Sequence, residues 1–516
     1  MFLVLVPTSG RALHKNLLHT VVNAKQELHD TIDTGVTLNR FAQDMQHIDR
    51  DLPSATMRAM TASFGCMASA VLVCIGASYI AAALPFLCIA LYLLQKFYLR
   101  TSRQLRLLEI EARSPLYTIF QETSEGLDTI LSFRWQIPFQ SRLFALLDLS
   151  QKPYYLLFCI QRWLILVLGF MVAAMAILLV AFALQFGNRG TSGSIGVGLI
   201  AILGFNDALN RLIIEWTTLE TSLGAIARLK SFSRDTPIED DDARLGNIPA
   251  NWPKDGEVTF ENASASYRPD LPSAFSNVNM TIPAGSKFGI CGRTGSGKSS
   301  LLNSLFRLLD LTSGRILIDG VPHTQIPLEI LRSRIVALPQ QPYLLSGSIR
   351  RNMDPEGLAS NTTIKAALEK VGLWEVVTSS LPSSSGSNSI SSTTLATFLD
   401  AKLDVDVLSP GQRQLFVLSR ALLLTPRPKI LVLDEATSNL DAKNDALMQR
   451  LIREEFADKG CTIIAIAHRL ESMSDFDTVV VMESGRVAET GKLGELIKVG
   501  GVLGEMMREQ EHGGRK

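Results

Sequence analysis

In this 516-residue chain, the run Gly292-Arg293-Thr294-Gly295-Ser296-Gly297-Lys298-Ser299-Ser300 combines residue types and spacing that can do chemistry. Gly292, Gly297, Lys298 and Ser299 fill a G-x-x-x-x-G-K-[ST] pattern, whose glycines let backbone N–H groups close around phosphate oxygens while the next helix turns its positive end on them. Lys298 would reach the β- and γ-phosphates as a point charge, and the Ser299 hydroxyl would hold Mg2+. The apolar run Phe288-Gly289-Ile290 before the loop and the amphipathic run 300–306 after it supply the strand and helix the pattern requires. These residues point to a nucleoside triphosphate site.

Three later segments repeat the design of a polar group delivered by an ordered element. Lys429-Ile430-Leu431-Val432-Leu433 ends in Asp434 and Glu435, as a fully buried parallel strand would, and ligands gather at the carboxyl ends of such strands. Asp434 would then reach the cation held by Ser299, and Glu435 would orient and deprotonate water beside the γ-phosphate, although carboxylates at strand ends also cap helices. Cys461 to Ala467 is another apolar strand, delivering His468 to the same sheet edge, where it would meet the γ-phosphate or simply be a hydrogen-bonded surface histidine. Leu408-Ser409-Pro410-Gly411-Gln412 opens a helix with a Ser/Gly turn, a second anion cradle, suited to a nucleotide bound by another subunit or domain. Tyr267 precedes the phosphate loop by about two dozen residues and is either a stacking face for a base or a rim residue.

The elements that position these groups belong to the second half of the chain. From Glu257 onward short β runs alternate with helices, the pattern of an α/β nucleotide domain over 257–516, and Ser379 to Thr394 reads as a serine-rich surface insertion. The first half is different. With 47% hydrophobic and 19% charged residues and a mean hydropathy of +0.19, the chain is more apolar than a soluble protein, and a net charge of zero gives no reason to expect a nucleic-acid partner. Ala59 to Gln95 is uncharged and near twice the roughly 20 residues of one span, with Gly76 and Pro85 near its middle. Trp163 to Phe186 and Ser194 to Leu212 are further spans. Four crossings of a lipid bilayer are therefore expected, at 59–78, 80–98, 160–186 and 194–214, inside a membrane domain of residues 1–232. Basic residues between Lys96 and Lys152 mark that segment as cytoplasmic. Asp207, Arg211 and Glu215 share a helix face and would form an ion-pair ladder or line a path for polar cargo. The acidic, proline-containing stretch 233–256 reads as a linker, and none of the six cysteines has metal-ligand spacing, so buried thiols are expected.

Taken together these motifs resemble an ATP-binding cassette transporter, most closely the C-terminal half of a multidrug-resistance-associated (subfamily C), fungal-type full transporter. Gly292 to Ser299 resembles Walker A, Ile430 to Asp434 Walker B with Glu435 as the catalytic glutamate, Leu408 to Gln412 the family signature, and Ser438-Asn439-Leu440-Asp441 the D-loop. The resemblance makes Gln340, in Leu338-Pro339-Gln340-Gln341-Pro342, the glutamine that senses Mg2+ and γ-phosphate, His468 the switch histidine and Tyr267 the aromatic base contact. Pro410 departs from the glycine or valine more usual in the signature and removes a backbone donor from that cradle. The implied fold is a partial exporter-type helical bundle followed by an α/β P-loop domain with a helical subdomain. Family membrane domains have six spans, so the four expected here imply a fragment, an incomplete gene model or a half-transporter remnant.

The resemblance implies an ATPase coupled to export of amphipathic organic anions, conjugates or xenobiotics across a plasma or vacuolar membrane. ATP and Mg2+ would be its cofactors, and a second nucleotide-binding domain, from a missing N-terminal half or a second copy, its partner. A nucleotide-gated regulator or channel subunit and a non-functional truncation are the alternative readings.

Overall fold

The computed structural model describes residues 4–32, 34–76, 84–185, 192–239, 249, 251–268, 270–379, 392–404, 407–438, 440–467 and 473–513. The chain divides into two compact units, one of residues 1–24 and 31–237, the other of residues 25–30 and 238–516.

The first unit is built from long helices: α1 (Leu5–Val22), α2 (Leu52–Gly76), α3 (Leu84–Glu125), α4 (Gln136–Gln185) and α5 (Ser192–Asp235). At 1.5 Å per residue, the 50 residues of α4 extend about 75 Å, more than twice the ~30 Å of hydrocarbon a span must cross. The polar segment expected between spans is thus largely the same helices continuing out of the apolar zone. Among the described residues, Gly35–Ile75, Gln136–Ala181 and Gly196–Asp235 are long and apolar enough to cross a membrane. They contain most of three expected spans; the start of the fourth, 80–83, lies outside the described residues and its remainder falls on α3.

The outer surfaces of these helices identify their solvent. Ile75, Phe86, Phe170 and Ile200 each leave about 70% or more of their surface exposed, while Leu168, Leu179 and Ile202 are fully buried in the bundle. Leaving a large apolar side chain in water forgoes roughly 1.5–3 kcal/mol, whereas hydrocarbon removes that cost. Ion pairs fasten α5 to its neighbours: Arg58 Nε donates to Glu215 Oε1 at 2.6 Å, Arg103 pairs with Glu220, and Arg228 with Asp44. The expected ladder therefore gives way to a cross-helix pair. Glu215 is taken by α2, and Asp207 and Arg211 stay exposed, because a fixed partner on a packed helix outcompetes a flexible one on the same face.

In the second unit, β1 (Val258–Ala265), β2 (Phe275–Ile282), β4 (Leu311–Ile318) and β5 (Val321–Pro322) form an antiparallel sheet ordered β2-β1-β4-β5. A second sheet contains β3 (Lys287–Gly292), β6 (Ile335–Leu338), β7 (Ile430–Asp434), β8 (Thr462–Ile466), β9 (Thr478–Glu483) and β10 (Arg486–Gly491), in the order β10-β9-β3-β8-β7-β6. It is parallel except for β10. Its central strands are apolar throughout because both faces are covered. Leu431, Leu433, Ile463 and Ala465 point into a core shared with the helices of 349–455, while Ile430, Val432, Ile464 and Ile466 point into one shared with the antiparallel sheet. The helical side includes α7 (Asn361–Lys370), α8 (Pro410–Leu423) and α9 (Ala442–Glu455), with α6 (Lys298–Leu305) following the phosphate loop on the other face.

Both ends of the expected linker are ordered into these units. Residues 233–235 complete α5, and Trp252 is buried, its indole N–H donating to Ile318 O at 3.2 Å. Asp319 accepts backbone N–H bonds from Lys254, Asp255, Gly256 and Glu257 at 2.6–3.0 Å, which pins the chain where β1 begins. Glu239 is held bidentately by Arg332 at 2.6 and 2.7 Å. Its neighbours Asp240 to Asp242 lie outside the described residues, as does most of the serine-rich insertion.

Candidate functional site

The phosphate loop leaves β3 at its carboxyl end and enters α6. Two of its glycines, Gly292 and Gly297, are required by contact as well as by conformation. At Gly292 (φ +153°) a Cβ would meet Met482 O at 2.3 Å, and at Gly297 (φ +94°) it would meet Ala274 O at 2.5 Å. Lys298 is 6% exposed, and its ammonium donates to the carbonyls of Gly292 (2.8 Å) and Arg293 (3.0 Å), folding over the loop it serves. Burial pulls its pKa below the ordinary lysine value, opposed by Glu435, Cys291 and Asp434.

Strand β7 brings Asp434 beside this loop. Burial and the neighbouring Glu435 push its carboxyl pKa up, while a hydrogen bond from Ser299 and the charge on Lys298 act the other way. Asp434 Oδ1 and Ser296 Oγ are buried without a hydrogen-bond partner. The Ser299 hydroxyl and the Asp434 carboxylate, buried with a spare oxygen, fit a hard divalent cation that keeps most of its waters, so the donor set suits Mg2+. Glu435 departs from the strand with φ +49°, a left-handed conformation costing a non-glycine residue about 1 kcal/mol or more, while its N–H still donates to Ile466 O at 3.2 Å. That turn aims its side chain along the cleft, where Gln340 Nε2 donates to Glu435 Oε2 at 2.7 Å.

The cleft is about 620 Å3 and is lined by Tyr267, Thr294, Gly295, Gly297, Lys298, Ser299, Ser300, Gln340 and Glu435, with Ser484 and Gly485, whose N–H donates to Ser296 O of the phosphate loop at 3.2 Å. Tyr267 stands 37% exposed at its mouth, with its hydroxyl 3.1 Å from Ser300 Oγ. Ser409, Gly411 and Gln412 are not among its lining. They open α8 in a reciprocal cap in which Ser409 Oγ accepts from Gln412 N–H and Gln412 Oε1 accepts from Ser409 N–H, with Pro410 at the first helical position, where a missing N–H costs the helix nothing. His468 and Asn439 lie outside the described residues. Cys291 and Cys461 are buried, their thiols pushed up to about 12 by burial, whereas Cys66, Cys74 and Cys159 are only half-buried.

Gln414 escapes the motif reading. It is 1% exposed and its amide donates to the carbonyls of Pro339 (3.1 Å) and Gln340 (2.7 Å). Its signal in the sequence is a polar residue on the apolar stripe of α8, between Gly411 and Leu418, which must find buried partners.

A glycine-rich phosphate loop, two carboxylates at the end of a second strand of the same parallel sheet and a set of long apolar helices define a P-loop nucleotide-binding domain attached to a helical membrane region. The ABC transporter transmembrane region matches residues 3–209 and the ABC transporter family matches residues 275–438. The chain belongs to the ABC transporter family and is a membrane protein. It is 44% identical over 492 residues to ABC multidrug transporter B of Aspergillus fumigatus, covering 95% of this chain and 32% of that protein. It is 43% identical over 502 residues to the ABC-type transporter FG02316 of Gibberella zeae (97% and 33%), and 43% identical over 490 residues to the ABC transporter gloK of Glarea lozoyensis (95% and 35%). The chain spans about a third of the length of these relatives. In fold it is similar to a bacterial Atm1-family ABC exporter with ATP bound, with a TM-score of 0.82 at 23% identity, covering 98% of this chain and 85% of that one.

Proposed function

We propose that the chain is an ATP-driven exporter module of the multidrug-resistance-associated (subfamily C) type, with a cytoplasmic nucleotide domain and amphipathic organic anions, conjugates or xenobiotics as cargo. The observation that carries this reading is the gathering of Lys298, Ser299, Gln340 and Glu435 around one cleft, with Asp434 at the end of the strand that leads into Glu435. Lys298 would leave its carbonyl partners for the β- and γ-phosphates, Tyr267 would cover the base, and Glu435 would take the proton of the attacking water. Ser299, Asp434 and Gln340 would hold Mg2+, which supplies charge neutralisation on the phosphates when bound. The placement of Ser409, Gly411 and Gln412 outside the cleft supports their service to ATP on a second nucleotide domain, so that two domains close over two nucleotides and reopen on hydrolysis.

A cavity of about 340 Å3 in the membrane unit supports the cargo class. Leu99, Leu107, Ile110 and Leu157 line it together with Arg103, Arg106, Glu220 and Arg228, Arg103 being paired with Glu220 and Arg228 with Asp44, so apolar and charged groups share one lining, as an amphipathic cargo requires. The name of the Aspergillus fumigatus relative, ABC multidrug transporter B, agrees with a multidrug role.

The test is ATP hydrolysis and ATP-dependent uptake of an anionic conjugate into inside-out vesicles carrying the chain or its Glu435→Gln variant. The substitution is expected to lower both by about a hundredfold or more, as loss of a general base does. Equal hydrolysis in the two samples would remove Glu435 from its role, and nucleotide binding without uptake would favour a regulatory subunit.

A further inference from the structure

Gln414 sits where α8 meets the segment that carries Gln340. The segment 339–345 carries Gln340, whose side chain reaches Glu435, and α8 grips that segment from behind. Gln414 supplies two bonds, to the carbonyls of the two successive peptides that flank the Gln340 Cα, and Arg420, nearly two turns further along, donates to Tyr343 O at 2.8 Å. Asn352 closes the far end by exchanging bonds with both the N–H and the carbonyl of Leu345, each at 2.8 Å. The helix that begins with Ser409 is thus tied to the residue facing Glu435 through one buried amide.

We propose that Gln414 is a positioning residue for hydrolysis: it fixes the backbone of Pro339 and Gln340 to α8, so that the attitude of α8 determines whether the Gln340 side chain engages Glu435. A buried amide is suited to this. Its N–H groups have no competing water, so the two carbonyls are held in register with the helix, and a shift of α8 is transmitted instead of being absorbed by solvent. The other end of the amide, Oε1, is buried without a partner, a polar cost that packing alone gives no reason to keep, since a methionine would fill the same space. The inference rests on Glu435 being the group that activates water.

The experiment compares the full chain with Gln414→Met, which keeps length and volume but removes both donors, and with Leu368→Val, which loosens a fully buried contact on α7. Gln414→Met is expected to raise amide hydrogen exchange across 338–345 about tenfold and to lower kcat for ATP about tenfold while KM stays within about twofold. Leu368→Val is expected to lower the melting temperature at least as much with exchange in 338–345 and kcat unchanged. Wild-type exchange and kcat in Gln414→Met, or changes that merely track melting in both variants, would overturn the proposal. Should the unmodified chain turn over no ATP, the exchange comparison still decides the role of Gln414, and Glu435→Gln separately decides the reading of the site.

Discussion

Gln340 and Glu435 are joined by a 2.7 Å hydrogen bond although 95 residues separate them, and Glu435 reaches that bond from a left-handed backbone. A neutral amide beside a carboxylate orients it without adding a charge, so the Gln340 bond chooses the rotamer of Glu435. Gln340→Leu removes this donor together with the proposed cation ligand. It is expected to lower kcat by about ten- to a hundredfold while ATP affinity in EDTA stays unchanged, because the amide is proposed to act on water and cation and not on the base or ribose. Nucleotide titrations with and without Mg2+, set beside steady-state rates, check this.

Lys298 illustrates how far burial restricts substitution. The ammonium sits 6% exposed between two carbonyls of its own loop, at 2.8 and 3.0 Å, a space shaped for a compact charge. Lys298→Arg keeps the charge but brings a planar fork with five donors into a pocket that offers two acceptors. Both Lys298→Arg and Lys298→Ala are expected to weaken ATP binding about a hundredfold, measured by equilibrium titration. Near-normal affinity in the arginine variant would mean that charge alone suffices there.

Much of this site can be read along the chain, because each group sits at the end of a locally recognisable element. Lys298 follows a glycine pattern, and Asp434 and Glu435 end an apolar strand whose both-faced burial is visible as an uninterrupted run. Gln414 was beyond that reading because its partners, the carbonyls at 339 and 340, are 74 and 75 residues away and carry no side-chain signature. The lengths of α3 and α4 were hidden for another reason. Hydropathy reports the solvent around a helix, so it falls at the lipid edge while backbone hydrogen bonding continues past it. The Asp207–Arg211–Glu215 spacing allowed a ladder, but proximity on one helix did not outweigh Arg58 arriving from another.

Ser409 has two separable duties. As the N-cap of α8 its hydroxyl accepts from Gln412 N–H, and as a turn residue outside the cleft it is proposed to face phosphate on a partner domain. Aspartate caps as well as serine but places an anion against that phosphate. Ser409→Ala is therefore expected to lose about 1 kcal/mol of stability along with turnover, whereas Ser409→Asp keeps the melting temperature and still loses turnover by tenfold or more. Equal rates in the aspartate variant and the unmodified chain would remove phosphate from this turn.

Glu455 makes a prediction about pH. At the end of α9, with its side chain 12% exposed, it is surrounded by Lys370 of α7, by Lys459 at 2.5 Å and by Arg427 at 2.8 Å. The Lys370 ammonium first, then Lys459, with Arg427 adding charge, hold its carboxyl down at about 2 against an ordinary value of 4.5, even though burial pushes the other way. A carboxylate whose folded pKa is depressed contributes stability that is complete above the unfolded pKa and is lost as pH falls toward the folded one. The window is thus pH 4.5 down to about 2. The full shift corresponds to about 3 kcal/mol, which the solvent-facing ammonium groups reduce to about 1–2 kcal/mol. Glu455→Gln is expected to lower the melting temperature of the nucleotide domain by several degrees from pH 8 to pH 5, with the gap to the unmodified chain narrowing below pH 4.5. Melting curves across that range check it. A gap that widened on acidification would mean that the three cations are not what holds this carboxylate.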